Sequence, residues 1–270
     1  NLMTVRLAQT IGMATVIDTV RRFGVVDDMQ PVLSSSLGAV ESTLMRMAAG
    51  YGMIANGGKK IVPTLIDRIQ DRFGKIIYRH DTRPCDACLA SSWDGQPPPL
   101  LPDDREQLVD PISAFQMVSM LEGVVQRGTG TRLLAVGKPG AGKTGTTNDA
   151  FDAWFIGFTP DLVAGVYIGF DQPRTLGPND TGSTVASPII RDFFLDALAG
   201  VPAKPFRVPD GVVFMPIDQS SGLIAGGTGK GVVMEAFKPG TEPVAGQQVL
   251  DGGYTPGAED NTITGVPGVY

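Results

Sequence analysis

Gly142-Lys143-Thr144-Gly145-Thr146-Thr147, then Ala153-Trp154-Phe155-Ile156-Gly157-Phe158, then a Thr159-Pro160-Asp161 turn and Leu162 to Phe170, is the stretch on which the fold turns. Short apolar runs parted by turn residues predict adjacent antiparallel strands. Two motifs overlap at Lys143. Read backward, Gly137-Lys138-Pro139-Gly140-Ala141-Gly142-Lys143-Thr144 satisfies G-x-x-x-x-G-K-[ST], the phosphate-cradling loop of nucleotide hydrolases. That chemistry needs a helix starting at the Lys-Thr pair, so that its free N–H groups face the phosphates. Here Gly145, Thr146, Thr147, Asn148 and Asp149, all poor helix formers, lead instead into the next strand. Val163 to Asp171 then follows in a meander, without the βα crossover of a parallel nucleotide-binding sheet. A P-loop NTPase using Gly137–Thr144 is therefore kept only as an alternative, which magnesium-dependent ATP binding would reveal. Read forward, Lys143-Thr144-Gly145 sets a cation and a hydroxyl on a strand edge where glycine lets a substrate backbone lie close.

Working outward, residues 2 to 23 carry Leu2, Val5, Leu7, Ile11, Val16, Ile17 and Val20, interrupted by Gly12, and read as two consecutive helices. Ser42 or Thr43 can cap a further helix that ends at Asn56-Gly57-Gly58. Apolar alternation on either side of Asp71 to Gly74 predicts a β-hairpin. Residues 80 to 107, with Pro97-Pro98-Pro99, read as a surface loop or linker. Asp110 caps and Pro111 opens a helix closed by Arg127 and Gly128, and Ser187-Pro188 opens another that runs to 199. Glycine and proline become denser after residue 200, which places a boundary between residues 1–200 and a Gly/Pro-rich extension, 201–270.

Composition removes several classes of function. The 270 residues carry 22 Lys and Arg against 28 Asp and Glu, a net charge of −6, with no basic cluster to follow a phosphate backbone. Nucleic acid is excluded as a partner on that ground. No stretch approaches the roughly 18 consecutive apolar residues of a membrane helix. With a single histidine, His80, a Ser-His-Asp or Cys-His mechanism has no well-placed base, so acid–base chemistry falls to lysine or carboxylate. Cys85 and Cys88, even with His80, give three ligands where structural zinc wants four, and their loop-like surroundings do not suit a thioredoxin-type motif. They read as a small loop staple in an oxidising compartment or as two free thiols elsewhere. No metal or cofactor is called for.

Several segments together resemble one family. Asn1 through Gly24, Ser36-Leu37-Gly38-Ala39 with Ile54-Ala55-Asn56-Gly57-Gly58, Arg127-Gly128-Thr129-Gly130-Thr131, and Gly142 through Thr147 followed by Asp152 to Phe158 are similar, in order and spacing, to the transpeptidase domain of class A, bifunctional penicillin-binding proteins. The Cys85 to Cys88 loop resembles the type 1A subgroup. The resemblance covers most of residues 1–200 and runs more loosely through Pro205 to Gly222.

It implies an α/β fold, an antiparallel sheet flanked by helices, incomplete at the N-terminus. It implies a serine D,D-transpeptidase that cross-links peptidoglycan stem peptides through an acyl-enzyme and is inhibited by β-lactams, with a D,D-carboxypeptidase as the alternative within the same chemistry. Lys143 would supply positive potential, the hydroxyls of Thr144 and Thr146 would bind the substrate carboxylate beside Thr147, the Thr146 N–H would serve an oxyanion, and Gly145 would keep the strand open. No serine here is followed three residues later by lysine, so the nucleophile's S-x-x-K segment is expected upstream, and this chain alone is expected to be inactive. Asn1 resembles the last member of the S-x-N element. The family setting implies a periplasmic protein anchored in the bacterial inner membrane, and a Cys85–Cys88 disulfide of minor energetic weight.

Overall fold

The structure, a computed structural model, describes residues 1–85, 88, 92, 95, 99, 101–227 and 229–243. The chain opens with α1 (Leu2–Ile11) and α2 (Met13–Arg22), parted at Gly12, whose φ of 82° lies in the left-handed region that glycine enters at little cost. The predicted break falls there. Helix α3 (Leu44–Ala55) takes Thr43 rather than Ser42 as its cap, the Thr43 hydroxyl accepting the Arg46 N–H at 3.2 Å. The Ser42 hydroxyl instead donates to the Val25 carbonyl at 2.6 Å.

The expected hairpin forms from β1 (Arg68–Gln70) and β2 (Ile76–Arg79), antiparallel with a register shift between Ile69 and Gln70. Helix α4 (Pro111–Arg127) is capped as read, Asp110 accepting the Ser113 N–H at 3.1 Å; the Ser113 hydroxyl, donating to Asp110 Oδ2 at 2.5 Å, chiefly holds the Asp110 carboxyl below its ordinary range. The meander then appears as β3 (Ala141–Thr146), β4 (Ala153–Phe158) and β5 (Val163–Ile168), one antiparallel sheet in that order. Helix α5 (Ser187–Ala197) follows, entered through a π-helical turn at Gly182–Ala186.

The sheet is covered on both faces, which explains why β4 is apolar throughout. On one face Ala141 and Phe158 pack with Phe115, Val118 and Leu121 of α4. On the other, Phe155 packs with Ala186 of the π-helical turn, Ile190 and Phe194 of α5 and Leu133 from a 3-10 turn at Thr131–Val136. That turn went unread in the sequence.

Composition changes near residue 200, but packing does not stop there. Phe206 and Ala236 join the α4 cluster, and β6 (Val213–Asp218) pairs antiparallel with β7 (Val232–Phe237) against α4. Gln116 of α4 donates to the Ala236 carbonyl at 2.9 Å, tying this hairpin to the domain. Cys85 and Cys88 are joined by a disulfide. The proline run at 97–98 and the chain after 243 lie outside the described residues. Among the described residues, no helix is long and apolar enough to cross a membrane.

Candidate active site

Among the described residues, strand β3 has a neighbouring strand on one side only, which leaves its other edge unpaired. Directly paired residues of antiparallel strands share a face, and successive residues alternate faces. Lys143 and Gly145, opposite Ile156 and Trp154, therefore project from the α4 face, while Thr144 and Thr146, opposite Phe155 and Ala153, project from the α5 face. A ligand that touches Lys143 and both threonines must lie along the free edge between them.

Backbone polarity along that edge follows from the next residue. The Thr147 N–H bonds inward to the Asp152 carbonyl at 3.1 Å, and the Thr147 hydroxyl accepts the Asp152 N–H at 2.8 Å. One step back along an extended strand, the Thr146 N–H faces the opposite way, away from β4. Lys143 is exposed, and its ammonium donates to the Thr144 carbonyl at 2.9 Å, which keeps the charge against this edge.

The two threonine hydroxyls are held from outside the strand. Thr146 Oγ1 accepts the Gly182 N–H at 3.1 Å, and Thr144 Oγ1 lies 2.7 Å from Thr129 Oγ1. Gly182 is seated so closely that an added Cβ would collide with the Trp154 carbonyl oxygen and lie 2.7 Å from that of Gly145. Ser183 donates to the Thr129 carbonyl at 2.7 Å, so the turn before α5 is tied both to β3 and to the Arg127–Thr131 segment. The sequence offered no local signal for Gly182 or Ser183, whereas Thr129 stood in a segment already quoted but had no role.

Next to the site, Trp154 and Tyr167 pack at a tilt of 57° with ring centroids 4.8 Å apart on the Lys143 face. Tyr167 donates to Asp152 Oδ1 at 2.8 Å, and that bond to a carboxylate is the main cause of its upward-shifted phenol pKa. After Thr147 the chain turns sharply, Asp149 and Ala150 both taking positive φ, at 58° and 51°. Asn1 sits at the start of α1 with its carbonyl accepting the Val5 N–H at 3.0 Å, and it enters none of the hydrogen bonds around β3.

The phosphate-loop alternative does not survive this geometry. Lys143 and Thr144 lie inside a strand, and no helix begins at them to present N–H groups to phosphate.

A family profile, the penicillin binding protein transpeptidase domain, matches residues 1–195. The chain belongs to that family. Within it, the chain is 47% identical over 240 residues to a penicillin-binding protein 1A of Rickettsia bellii, covering 88% of this chain and 30% of the relative. To penicillin-binding protein 1A of Neisseria lactamica it is 40% identical over 215 residues, covering 79% of this chain and 25% of the relative. The crystal structure of penicillin-binding protein 1A from Haemophilus influenzae aligns with a TM-score of 0.73 at 29% identity, covering 90% of this chain and 39% of that one. The chain thus spans well under half of the length of these relatives, and its resemblance to the class A, type 1A penicillin-binding proteins and its α/β transpeptidase fold both stand.

Proposed function

We propose that this chain is the C-terminal part of a serine-type D-Ala-D-Ala transpeptidase that cross-links peptidoglycan stem peptides. The observation that carries the reading is the open edge of β3, where an outward N–H at Thr146, the Lys143 ammonium and two hydroxyls meet along one line. In this mechanism an upstream S-x-x-K serine attacks the carbonyl of the penultimate D-alanine. The carbonyl oxygen gains charge as the tetrahedral centre forms, and the Thr146 N–H donates to it together with the serine's own N–H. Each donor of this kind is worth on the order of 3 kcal/mol in the transition state. The substrate's terminal carboxylate lies against the hydroxyls of Thr144 and Thr146 beside Thr147, drawn there by Lys143, while Gly145 leaves room for the peptide backbone. D-Alanine departs, and an amine of a neighbouring stem peptide resolves the acyl-enzyme; β-lactams acylate the same serine and stay. Asn1, as the end of an S-x-N element, would belong to the same catalytic set as Lys143 and Thr146. The setting is periplasmic, with the full-length protein anchored in the inner membrane.

Intact-mass measurement after treatment with a fluorescent penicillin tests this. The full-length protein should carry one adduct, on a serine upstream of Asn1, and this chain alone none. An unlabelled full-length protein would overturn the proposal. Release of free D-alanine without cross-linked product in the presence of an acceptor amine would favour the D,D-carboxypeptidase instead.

A further inference from the structure

Thr144 and Thr146 can present protons to an anion only if their own lone pairs, rather than their protons, are engaged by the protein. A hydroxyl has one proton and two lone pairs, and a backbone N–H can only donate. The Gly182 N–H therefore occupies a lone pair of Thr146 and leaves that hydroxyl's proton free. At Thr144 the matter is open, because its partner at 2.7 Å is another hydroxyl, that of Thr129, and either can be the donor.

The surroundings hold Thr129 in place for this exchange. Its carbonyl accepts the Ser183 hydroxyl at 2.7 Å, and the Ser183 carbonyl in turn takes Arg132 Nε at 3.0 Å and the Ser187 hydroxyl at 2.7 Å. Ser187 is fully buried, which anchors the far end of the chain of bonds in the core.

We propose that Thr129 is a positioning residue that makes the β3 edge selective for a negatively charged terminus. When a carboxylate sits beside Thr144 it draws that hydroxyl's proton, and Thr129 turns to donate to the lone pair left exposed. Thr144 and Thr146 then both donate, one backed by Thr129 and the other by the Gly182 amide. Hydrogen bonds to a charged acceptor are roughly twice as strong as neutral ones, so this arrangement discriminates a carboxylate from an ester or amide of the same shape. The inference rests on the transpeptidase reading of the site.

The test compares acylation rates of the full-length protein by benzylpenicillin and by its uncharged methyl ester. In the wild type the acid should react faster. In Thr129→Val the acid's rate should fall about tenfold, the size of one lost hydrogen bond behind Thr144, with the ester's rate little changed. Thr129→Ser should restore the acid-to-ester ratio. Ser183→Ala, which releases the Thr129 carbonyl, should lower the ratio in the same direction and carries the test if Thr129→Val does not fold. An unchanged ratio, or equal losses for acid and ester, would overturn the proposal while leaving the transpeptidase reading intact. Failure of the wild type to react with either compound would overturn that reading and this one with it.

Discussion

Phe155 and Phe158 of β4 are fully buried between two helical layers, whereas every strand residue of the β1–β2 hairpin is exposed, and Phe73 at its turn is 87% exposed. Both regions are antiparallel, and both come from apolar runs on either side of a turn. The hairpin is held by its own backbone and by the Asp71 carboxylate, which accepts the Phe73 and Lys75 N–H groups at 2.8 and 2.9 Å. The β3–β5 sheet is held by what lies above and below it. The difference separates two properties that a sequence pattern blends: alternation and turn chemistry suffice to pair strands, but burial depends on covering elements far away in the chain. The candidate site stands where the two conditions meet, on a strand with packed faces and an unpaired edge.

Several measurements would break or sharpen this contrast. Phe155→Ala removes a ring from the α5 cluster and should cost about 3–5 kcal/mol in urea unfolding. A loss under 1 kcal/mol would mean that the sheet is not the stability centre. Lys143→Ala in the full-length protein should slow penicillin acylation by about 10²- to 10³-fold with little change in melting temperature, because an exposed edge lysine contributes little to the core. Parallel losses of rate and stability would count against its role in the site. Asp110→Ala unties the start of α4, on which one face of the sheet rests, and should cost about 1 kcal/mol.

Glu122 tests the packed layer by pH. It is half-buried on α4, and burial raises its carboxyl pKa above the ordinary 4.5. The native state then holds the proton more tightly than the unfolded state, so stability falls as pH rises from the ordinary carboxylate range through the raised value. Glu122→Gln should accordingly stabilise the protein at pH 7, with the advantage vanishing near pH 3. An advantage of equal size at both pH values would show that ionisation is not its source. Phe73→Ser, at the hairpin turn, should have the smallest effect, within about 0.5 kcal/mol in the same unfolding assay.

Much of this architecture is legible in the sequence. The break at Gly12, the Asp110 cap, the hairpin about Asp71 to Gly74 and the β3–β4–β5 meander all rest on signals within a few residues of where they act. The Thr131–Val136 turn and the β6–β7 hairpin were not legible, since the first is short and the second lies in a stretch whose glycines and prolines mask its alternation.

At the site the division is sharper. By itself the sequence determined that Lys143, Thr144, Gly145 and Thr146 form a strand and not a phosphate loop, because the residues after them cannot start a helix and the strands after them can pair in a meander. Only the tertiary structure decided which groups hold the hydroxyls of that strand. Thr129 precedes Thr144 by 15 residues and Gly182 follows Thr146 by 36, separations at which no local propensity operates. They meet because α4 and α5 pack on opposite faces of one sheet, and the segments leaving α4 and entering α5 are thereby brought to the same end of β3.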